Sequence, residues 1–361
     1  MKEYIFVLGR EPELSFLEVI SFFKSHNIDY KIVEHNEDIV IFLLKRDLNF
    51  DDIIKRLGGV IKIAEVFKEY EYNGNDNRLN YGISVYKGNQ SKLKSYLEKV
   101  YKKEKVKAMI RKPREGVYSP TEILSKKLNE FVVYGDYWGK TIAFFNPKLY
   151  MERDETRPRQ IPLHQVSLRL AKILINLSQA RNSIMDPFCG VGTILQEGML
   201  NDLEVYGMDL DLESVKASNQ NLNWLKDKYH LEKKFKIING DSTKLTRYIK
   251  RNFVDAIVTE PYMGPYFKRM PQRPEVEKTA RDLEKFYYEF LLQARQILKK
   301  NGKVSMVIPR LKYHRGQMDL RIDNILRDTG FEIEKLDSKI KFPMVSKGKF
   351  LDRLIYVFNV K

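Results

Sequence analysis

The sequence is poor in the residues that build covalent or metal-held scaffolds. Its single cysteine, Cys189, excludes an intrachain disulfide and any zinc or iron–sulfur site that needs several cysteines. The five histidines share no metal-ligand spacing. They are His26, His35, His164, His230 and His314. We therefore expect no disulfide and no metal.

Long apolar runs are also missing. Runs such as residues 39–44 are far shorter than the roughly 18 residues that a membrane-spanning helix needs. The N-terminus reaches Arg10 and Glu11 before the apolar core of a signal peptide could form. We expect a cytoplasmic protein that does not contact a membrane.

Positive charge is present in excess. The 361 residues include 64 Lys and Arg against 48 Asp and Glu, which gives a net charge of +16. A hydrophobic content of 43% is enough to bury a core and excludes a disordered tail protein. The basic balance favours a polyanionic partner, with nucleic acid the first candidate, although many lysine-rich proteins are simply basic. At about 150 residues per domain, the length predicts two or three domains.

Residues 1–70 predict a ferredoxin-like domain. The apolar patterns give the order strand, helix, strand, strand, helix, strand, which is typical of that scaffold. These elements are expected at residues 4–8, 13–24, 30–33, 38–44, 51–57 and 60–70. The scaffold alone does not indicate a function.

Residues 71–150 predict a second α+β domain with a basic segment. Its strands are expected at residues 81–86, 131–134 and 140–145, and its helices at 91–107 and 122–129. Between Lys92 and Arg114 the only acidic residues are Glu98 and Glu104. Positive charge attracts phosphate and aromatic rings can stack on bases, so this segment is a candidate RNA-binding surface. The candidate contacts are Lys102, Lys103, Lys105, Lys107, Arg111, Lys112 and Arg114.

The alternative for this segment is a solvated helix face over ordinary core aromatics. The interleaved aromatic residues are Tyr96, Tyr101, Tyr118, Tyr134, Tyr137 and Trp138.

After this domain, residues 151–162 are polar, contain two prolines and predict a connector. A helix at residues 166–177 then begins a domain that we place at 163–361.

The strongest motif is a glycine turn at residues 186–193, between a strand at 183–185 and a helix at 194–200. Glycines let the backbone approach a ligand, and the helix N-terminus is electropositive. The turn lacks the lysine of a phosphate loop. It also lacks the third glycine of a dinucleotide fingerprint, because Gln196 stands there. A ligand of another class is therefore indicated.

Acidic residues follow the next strands. Asp209 lies 19 residues after Gly190, where an acid can hold ribose hydroxyls. Asp241 follows a strand at residues 235–238, where its carboxylate could accept a hydrogen bond from an adenine amine. Glu260 follows a strand at residues 254–258. Each acid alone could be a helix cap or a turn residue. Together they indicate one nucleoside ligand, because parallel strands end at the same edge of a sheet.

Residues 160–361 resemble a class I S-adenosylmethionine-dependent methyltransferase, most specifically at Asp186–Leu200. The chain is most similar to THUMP-containing tRNA guanine-N2 methyltransferases of the archaeal and eukaryotic guanosine-10 type. Residues 81–86 (YGISVY) and 118–122 (YSPTE) resemble the THUMP domain itself.

The resemblance implies an α/β fold: a Rossmann-like methyltransferase domain preceded by a ferredoxin-like plus THUMP module. It implies S-adenosylmethionine as cofactor and tRNA, bound through its acceptor end, as partner. The need for an activating partner subunit stays open. The implied cofactor residues are Asp186, Pro187, Phe188, Gly190, Gly192, Thr193, Asp209, Leu210, Asp241 and Ser242.

The fourth motif departs from the family pattern Asp/Asn-Pro-Pro-Tyr/Phe. In that pattern a polar side chain and a backbone carbonyl accept hydrogen bonds from the amine, and the aromatic residue stacks on the base. Here the sequence reads Thr259-Glu260-Pro261-Tyr262, and these four are the candidate catalytic residues. Glu260 could supply the carboxylate, the backbone carbonyls could suffice, or the site could be altered in substrate or inactive. We expect the first.

Two further features leave alternatives open. Cys189 lies in the glycine turn rather than near the fourth motif, so we expect a packing residue and not the nucleophile of a cytosine-5 methyltransferase. The basic residues 266–273 are either a substrate-contacting loop or a solvated excursion. The rival functions are methylation of another RNA or DNA base amine, or a non-catalytic RNA-binding relative.

Overall fold

A computed structural model describes residues 1–160, 166–340 and 342–361. The chain divides into two compact units. The first unit comprises Met1–Phe16 and Ile28–Glu155, and the second comprises Leu17–Asn27 and Thr156–Lys361.

The first unit is built on an eight-stranded sheet with the strand order β2-β3-β1-β4-β8-β7-β5-β6. Its strands are β1 (Lys2–Leu8), β2 (Tyr30–His35), β3 (Ile39–Leu44), β4 (Val60–Val66), β5 (Arg78–Lys87), β6 (Lys107–Ile110), β7 (Leu128–Tyr134) and β8 (Tyr137–Phe144). The helices of this part of the chain are α1 (Pro12–Ser25), α2 (Phe50–Arg56), α3 (Ser91–Lys103), α4 (Pro120–Lys126) and α5 (Pro147–Thr156). The predicted order strand, helix, strand, strand, helix, strand is confirmed for β1 to β4.

The two predicted N-terminal domains share this sheet and its core. Strand β4 pairs antiparallel with β8, from Lys62 opposite Phe144 to Val66 opposite Gly139. One hydrophobic cluster joins Ile5, Val7, Ile39, Ile41 and Ala64 to Val132 and Tyr134. The stretches 1–70 and 71–150 are therefore continuous through both backbone hydrogen bonds and side-chain packing.

Two helices in this unit are shorter than predicted, and both end near a residue with a positive φ angle. Helix α3 ends at Lys103, and Lys107–Ile110 forms strand β6 instead of the predicted last helical turn. Helix α4 ends at Lys126, and Leu128 already belongs to β7. Lys105 and Lys127 have positive φ angles of 56° and 46°, and a residue in the left-handed region stops a helix.

The predicted connector 151–162 is wrong at its start. Helix α5 runs from Pro147 to Thr156, since Asn146 accepts the backbone N–H of Lys148 at 3.1 Å and proline suits the first helical turn. The last predicted connector residues, Ile161 and Pro162, lie outside the described residues.

The second unit contains a mixed sheet with the order β11-β10-β9-β12-β13-β17-β15, to which β14 and β16 add at β13 and β17. Its strands are β9 (Ser183–Asp186), β10 (Glu204–Asp209), β11 (Phe235–Asn239), β12 (Val254–Thr259), β13 (Leu298–Tyr313), β14 (Gly316–Met318), β15 (Phe331–Ile333), β16 (Met344–Ser346) and β17 (Leu351–Val360). Strands β9 to β13 are parallel, and β17 is antiparallel to both β13 and β15. The predicted Rossmann-like α/β fold is confirmed.

The helices of this unit are α6 (Leu168–Ser178), α7 (Thr193–Leu200), α8 (Leu212–Tyr229), α9 (Arg273–Ile297) and α10 (Ile322–Thr329). Helices α8 and α10 were not predicted. Across residues 1–160, 166–340 and 342–361, none of the helices has the combination of length and apolar character that crossing a bilayer requires.

Strand order places the ligand site. From β9 the chain winds to β10 and β11 on one side of the sheet, and to β12 and β13 on the other. Ligands of such sheets bind at this reversal, beyond the carboxyl ends of the strands. Asp186, Asp209 and Thr259 are the last residues of β9, β10 and β12, so the fold brings them to that edge.

Candidate active site

The glycine turn requires glycine for both conformation and space. Gly190 and Gly192 have φ angles of 51° and 84°, in the region that side chains disfavour. A Cβ atom at Gly192 would lie 2.5 Å from Oγ of Ser218 on α8. The turn therefore brings backbone against α8 and delivers the chain into the N-terminus of α7.

Asp209 ties this turn to the end of β10. Its Oδ2 accepts the backbone N–H of Gly190 at 2.8 Å, and its Oδ1 accepts that of Asp211 at 3.0 Å. Each carboxylate oxygen has a second acceptor position, so ribose hydroxyls could still donate to Asp209. The adjacent Leu210 is 77% exposed, which leaves an apolar side chain available to an aromatic ring. The structure thus brings together the predicted Gly190 and Asp209.

Asp186 is buried at the end of β9 and bonds across to β12. Its Oδ1 accepts the hydroxyl of Thr259 at 2.6 Å and the backbone N–H of Phe188 at 3.1 Å. Burial raises the pKa of Asp186 to about 7; the two hydrogen bonds oppose the rise, and the charges of Asp209 and Glu260 add to it. We refer to Asp186, Gly190, Asp209 and Thr259 as the strand-end cluster.

The burial of Thr259 bears on its role as a candidate catalytic residue. The residue is fully buried, and its hydroxyl proton is directed to Asp186. Thr259 therefore links the two strands on either side of the topological reversal. Of the next three residues of the motif, only Tyr262 is exposed.

One of the two carboxylate oxygens of Glu260 already accepts a hydrogen bond. Its Oε1 accepts Nε–H of Arg353 on β17 at 2.6 Å. The side chain of Glu260 is 9% exposed and that of Arg353 is 38% exposed. In the described part of the chain, Oε2 of Glu260 accepts no hydrogen bond. Glu260 thus retains an acceptor oxygen in a largely buried setting.

Tyr262 supplies an exposed ring two residues after Glu260 in the chain. Pro261 is buried, whereas Tyr262 is 56% exposed. The hydroxyl of the fully buried Tyr287 on α9 donates to the backbone carbonyl of Tyr262 at 2.8 Å. The backbone that carries the Tyr262 ring is therefore fixed by a hydrogen bond from the buried Tyr287.

Both carboxylate oxygens of Asp241 bond to residues two and three positions later in the chain. Oδ1 accepts the backbone N–H and the hydroxyl of Thr243 at 2.9 and 2.7 Å, and Oδ2 pairs with Lys244 at 2.9 Å. Burial works against ionisation, yet these contacts outweigh it and lower the pKa of Asp241. Asp241 caps the short 3₁₀ helix Ser242–Arg247, the alternative considered for an isolated acid. Its contact with an adenine amine stays a prediction, as does that of the buried Ser242.

Two residues that sequence reasoning missed pack on the glycine turn. Arg157, from the predicted connector, is 6% exposed and donates Nη1–H to the hydroxyl of Thr193 at 3.3 Å. Asn221 on α8 donates Nδ2–H to the carbonyls of Val191 and Arg159 at 2.9 and 3.0 Å. A buried asparagine in a helix was the one available signal, and it lay in a helix that was not predicted.

The remaining turn residues are packing elements. The Phe188 ring meets Phe286 and Phe290 of α9 edge-on, with centroids 5.6 and 5.1 Å away. Cys189 is buried, and burial raises the pKa of its thiol well above the usual value, which suits a packing role. Among residues 1–160, 166–340 and 342–361, no three His, Cys, Asp or Glu side chains group as metal ligands would.

All seven candidate RNA-binding residues are exposed. They lie on the end of α3, on β6 at the edge of the sheet, and on the turn that follows β6. Within the described residues none pairs with an acid, and Arg111 donates Nε–H to Oδ1 of Asn80 at 2.9 Å. We call these seven residues the basic surface. The neighbouring Tyr101, Tyr118 and Tyr134 are buried, so for them the core alternative is correct.

Side chains beneath the basic surface hold its turn. Oε1 of Glu122 accepts the backbone N–H of Arg114 at 3.2 Å, and Nζ of Lys126 donates to the Lys112 carbonyl at 3.3 Å. The hydroxyl of Tyr118 donates to the Arg111 carbonyl. The backbone is thus fixed while the cationic side chains face solvent.

The basic segment 266–273 leads into α9 and is partly neutralised. Arg269 pairs with Glu275 at 3.1 Å, and Arg273 pairs with Glu277 at 2.8 Å. Tyr266 is 77% exposed. These exposed ion pairs favour the solvated alternative for the two arginines, whereas the exposed ring of Tyr266 remains available to a ligand.

Comparison with known proteins agrees with this geometry. Residues 156–324 match the family model described as "RMKL-like, methyltransferase domain". The tRNA (guanine(10)-N2)-dimethyltransferase of Methanothermobacter thermautotrophicus is 34% identical over 161 residues, which cover 43% of this chain and 43% of that protein. The protein of the same name from Pyrococcus abyssi is 33% identical over 150 residues, covering 41% and 43%. The chain thus spans less than half the length of these curated relatives.

The solved structure of TrmN from Thermus thermophilus is similar in fold. It superposes with a TM-score of 0.51 at 14% identity, covering 99% of this chain and 100% of that chain. At that identity the likeness speaks for the fold alone. Residues 156–324 are therefore similar to the RMKL-like methyltransferase domain, and the chain as a whole is similar in fold to TrmN.

Proposed function

We propose that the chain transfers a methyl group from S-adenosylmethionine to the exocyclic N2 amine of a guanine in tRNA. The observation that carries this proposal is that Glu260, whose Oε2 is open to a donor, and Tyr262, whose ring is exposed, both follow the end of β12, the strand that pairs with β9. The names of the matched relatives support the same reaction.

The strand-end cluster suits the cofactor. Gly192 gives the turn the positive φ angle and the close packing on α8 that it needs, Asp209 can accept hydrogen bonds from ribose hydroxyls, and Leu210 offers apolar contact to adenine. When bound, S-adenosylmethionine supplies a methyl group on an electrophilic sulfonium. The remaining cofactor contacts are assigned to Asp186, Pro187, Phe188, Gly190, Thr193, Asp241 and Ser242.

The fourth motif suits a guanine amine. An amine on a base is a poor nucleophile because its lone pair is delocalised into the ring, so catalysis requires positioning and an acceptor for its proton. Oε2 of Glu260 is such an acceptor, and Tyr262 can stack on the base. A carboxylate only accepts hydrogen bonds, and the guanine edge presents donors at both N1 and N2, whereas adenine presents an acceptor at N1.

The basic surface supplies RNA affinity in this proposal. We assign residues 71–150 as a THUMP domain whose seven cations contact tRNA phosphates. A cytoplasmic location and the need for an activating partner subunit stay open predictions.

The test is to incubate the full chain with unmodified tRNA transcripts and labelled S-adenosylmethionine, then identify the methylated nucleosides by mass spectrometry. N2-methylguanosine supports the proposal. Another methylated nucleoside indicates a different base amine. Absence of both transfer and cofactor binding indicates a non-catalytic RNA-binding protein.

The role of Glu260 is tested separately. Glu260→Gln should lower turnover by about 100-fold or more, since the amide is a weaker proton acceptor, and should leave cofactor affinity intact. The matched control is Glu284→Gln, which changes an ion-paired glutamate of α9. Unchanged turnover in Glu260→Gln would remove Glu260 from the chemistry.

A further inference from the structure

Arg353 reaches the fourth motif from a distant part of the chain. It lies on β17, opposite Pro309 of β13 and Ser346 of β16, so its backbone is paired on both sides. Its Nε lies 2.6 Å from Oε1 of Glu260, a residue 93 positions earlier. The guanidinium is thus mounted on the central part of a sheet and not on a loop.

We propose that Arg353 is a positioning residue for methyl transfer, which holds Glu260 so that Oε2 faces the substrate amine. This inference rests on the proposed function, because it assigns Arg353 a role only through an acceptor at Glu260. No direct contact of Arg353 with the substrate is required.

The geometry explains why such a residue is needed. A glutamate has one more rotatable bond than the aspartate of the usual motif, and it follows the strand end by one residue. Without a partner its carboxylate would sample several rotamers. One hydrogen bond from a planar guanidinium fixes Oε1 and leaves Oε2 as the remaining acceptor.

Arginine also suits this contact chemically. A guanidinium donates hydrogen bonds and accepts none, so Arg353 holds Glu260 without offering an acceptor for the substrate proton. At 9% exposure the Glu260 carboxylate is shielded from water, which strengthens a charge-assisted hydrogen bond. Arg353 is itself 38% exposed, so neutralising Glu260 does not leave a buried, unpaired cation.

A purely structural role is the competing explanation. The pair joins β17 to the segment after β12, and its loss could simply loosen the sheet. The two explanations differ in one respect: a structural role lowers Tm together with kcat, whereas a positioning role lowers kcat and leaves Tm close to that of the parent. A fall in kcat that follows a fall in Tm would support the structural role.

The experiment is a double-mutant cycle in the full chain with tRNA and S-adenosylmethionine. The variants are Arg353→Met, Arg353→Lys, Glu260→Gln and the double variant Arg353→Met/Glu260→Gln. Turnover, KM for tRNA, cofactor affinity and Tm are measured for each. Arg321→Met is the control, since Arg321 pairs with Glu284 elsewhere in the same unit.

We expect Arg353→Met to lower kcat by about 10- to 100-fold, the range for a misplaced catalytic group, with KM and cofactor affinity within about twofold of the parent. Arg353→Lys should recover part of the loss because it restores a donor and a charge. In the Glu260→Gln background, Arg353→Met should lower kcat by less than about twofold. Arg321→Met should leave kcat unchanged.

Two results would overturn the inference. One is an unchanged kcat in Arg353→Met, and the other is an equal loss in both backgrounds, which would mean a role independent of Glu260. If the parent chain forms no N2-methylguanosine, the proposed function fails instead, and that outcome is seen before any variant is made.

Discussion

The strand-end cluster and the basic surface are built in opposite ways. In the cluster, polar groups bond to one another and to backbone, as Asp186 does with Thr259 and Asp209 does with Gly190. On the basic surface, seven cationic side chains face solvent above a fixed backbone turn. The first arrangement depends on the exact placement of atoms, and the second depends on total charge.

This contrast predicts which changes each region tolerates. A single conservative substitution should disable the cluster, because one lost hydrogen bond there has no replacement. The basic surface should lose affinity gradually, since each cation contributes a similar electrostatic increment.

The largest effect is expected from neutralising the whole basic surface with seven Lys/Arg→Gln changes. Affinity for tRNA should fall by about 1,000-fold, and the salt dependence of log K should flatten by about 0.7 to 0.9 per lost phosphate contact. Cofactor affinity should not change. Filter binding across a salt series and calorimetry with S-adenosylmethionine measure the two.

The control removes seven exposed cations elsewhere in the first unit. They are Lys2, Lys31, Lys45, Arg46, Lys55, Lys68 and Lys87. An equal loss in this control would mean that net charge, rather than the basic surface, determines tRNA affinity.

A single change at the cluster should have the next largest effect. Asp209→Ala removes the acceptor for Gly190 N–H and the proposed ribose contact, so cofactor affinity should fall by about 100-fold. Affinity for tRNA should stay within about twofold. Calorimetric titration of the cofactor tests this, with Asp227→Ala on the exposed face of α8 as the matched control. Equal cofactor affinity in the two variants would disprove the role of Asp209.

The buried carboxyl of the cluster should make stability depend on pH. Burial raises the pKa of Asp186 to about 7, so between its ordinary value and that point the folded protein holds a proton that the unfolded chain has released. The stabilisation is complete at low pH and is lost as the pH rises towards 7. Between pH 5 and pH 7 the loss is about 2 kcal/mol.

Denaturant unfolding of the cofactor-free protein at several pH values measures this dependence. Asp186→Asn should flatten the curve by that amount, since the amide does not titrate. If the parent and the variant have parallel curves, other groups produce the pH dependence.

The smallest effect is expected beneath the basic surface. Ser119→Ala removes the N-cap of α4, where the serine side chain accepts the backbone N–H of Glu122 at 3.3 Å. The free energy of unfolding should fall by about 1 kcal/mol, with a loss of tRNA affinity of a few-fold because Glu122 also holds Arg114. Ser125→Ala, an exposed change on the same helix, should be neutral or slightly stabilising. If the two variants have the same free energy of unfolding, the N-cap does not stabilise α4.

Sequence reasoning located the cluster because its signals are local. The glycine turn and Asp209 are read from short segments with fixed spacing, and parallel strands necessarily end at one edge. The same reasoning missed Arg353, since nothing in the sequence joins it to Glu260 93 residues away. It also named Thr259 as a candidate catalytic residue, and the hydroxyl of Thr259 is directed inward to Asp186.

The prediction was poorest where helices give way to strands. Lys105 and Lys127 reverse the backbone with positive φ angles, and lysine gives no sequence signal for that conformation. Helix α8 was overlooked although Asp211 caps it, because its polar residues obscure the apolar pattern. The shared sheet of residues 1–150 depends on β4 pairing with β8, a long-range contact that local patterns do not encode.

The central claim is methyl transfer to guanine N2, and isotope labelling tests it most directly. A tRNA transcript with nitrogen-15 at the guanine N2 amine is incubated with the full chain and S-adenosylmethionine carrying a carbon-13 methyl group. The account predicts a one-bond carbon–nitrogen coupling in the NMR spectrum of the isolated guanosine product. A carbon-13 methyl group that appears in the RNA without that coupling would contradict it.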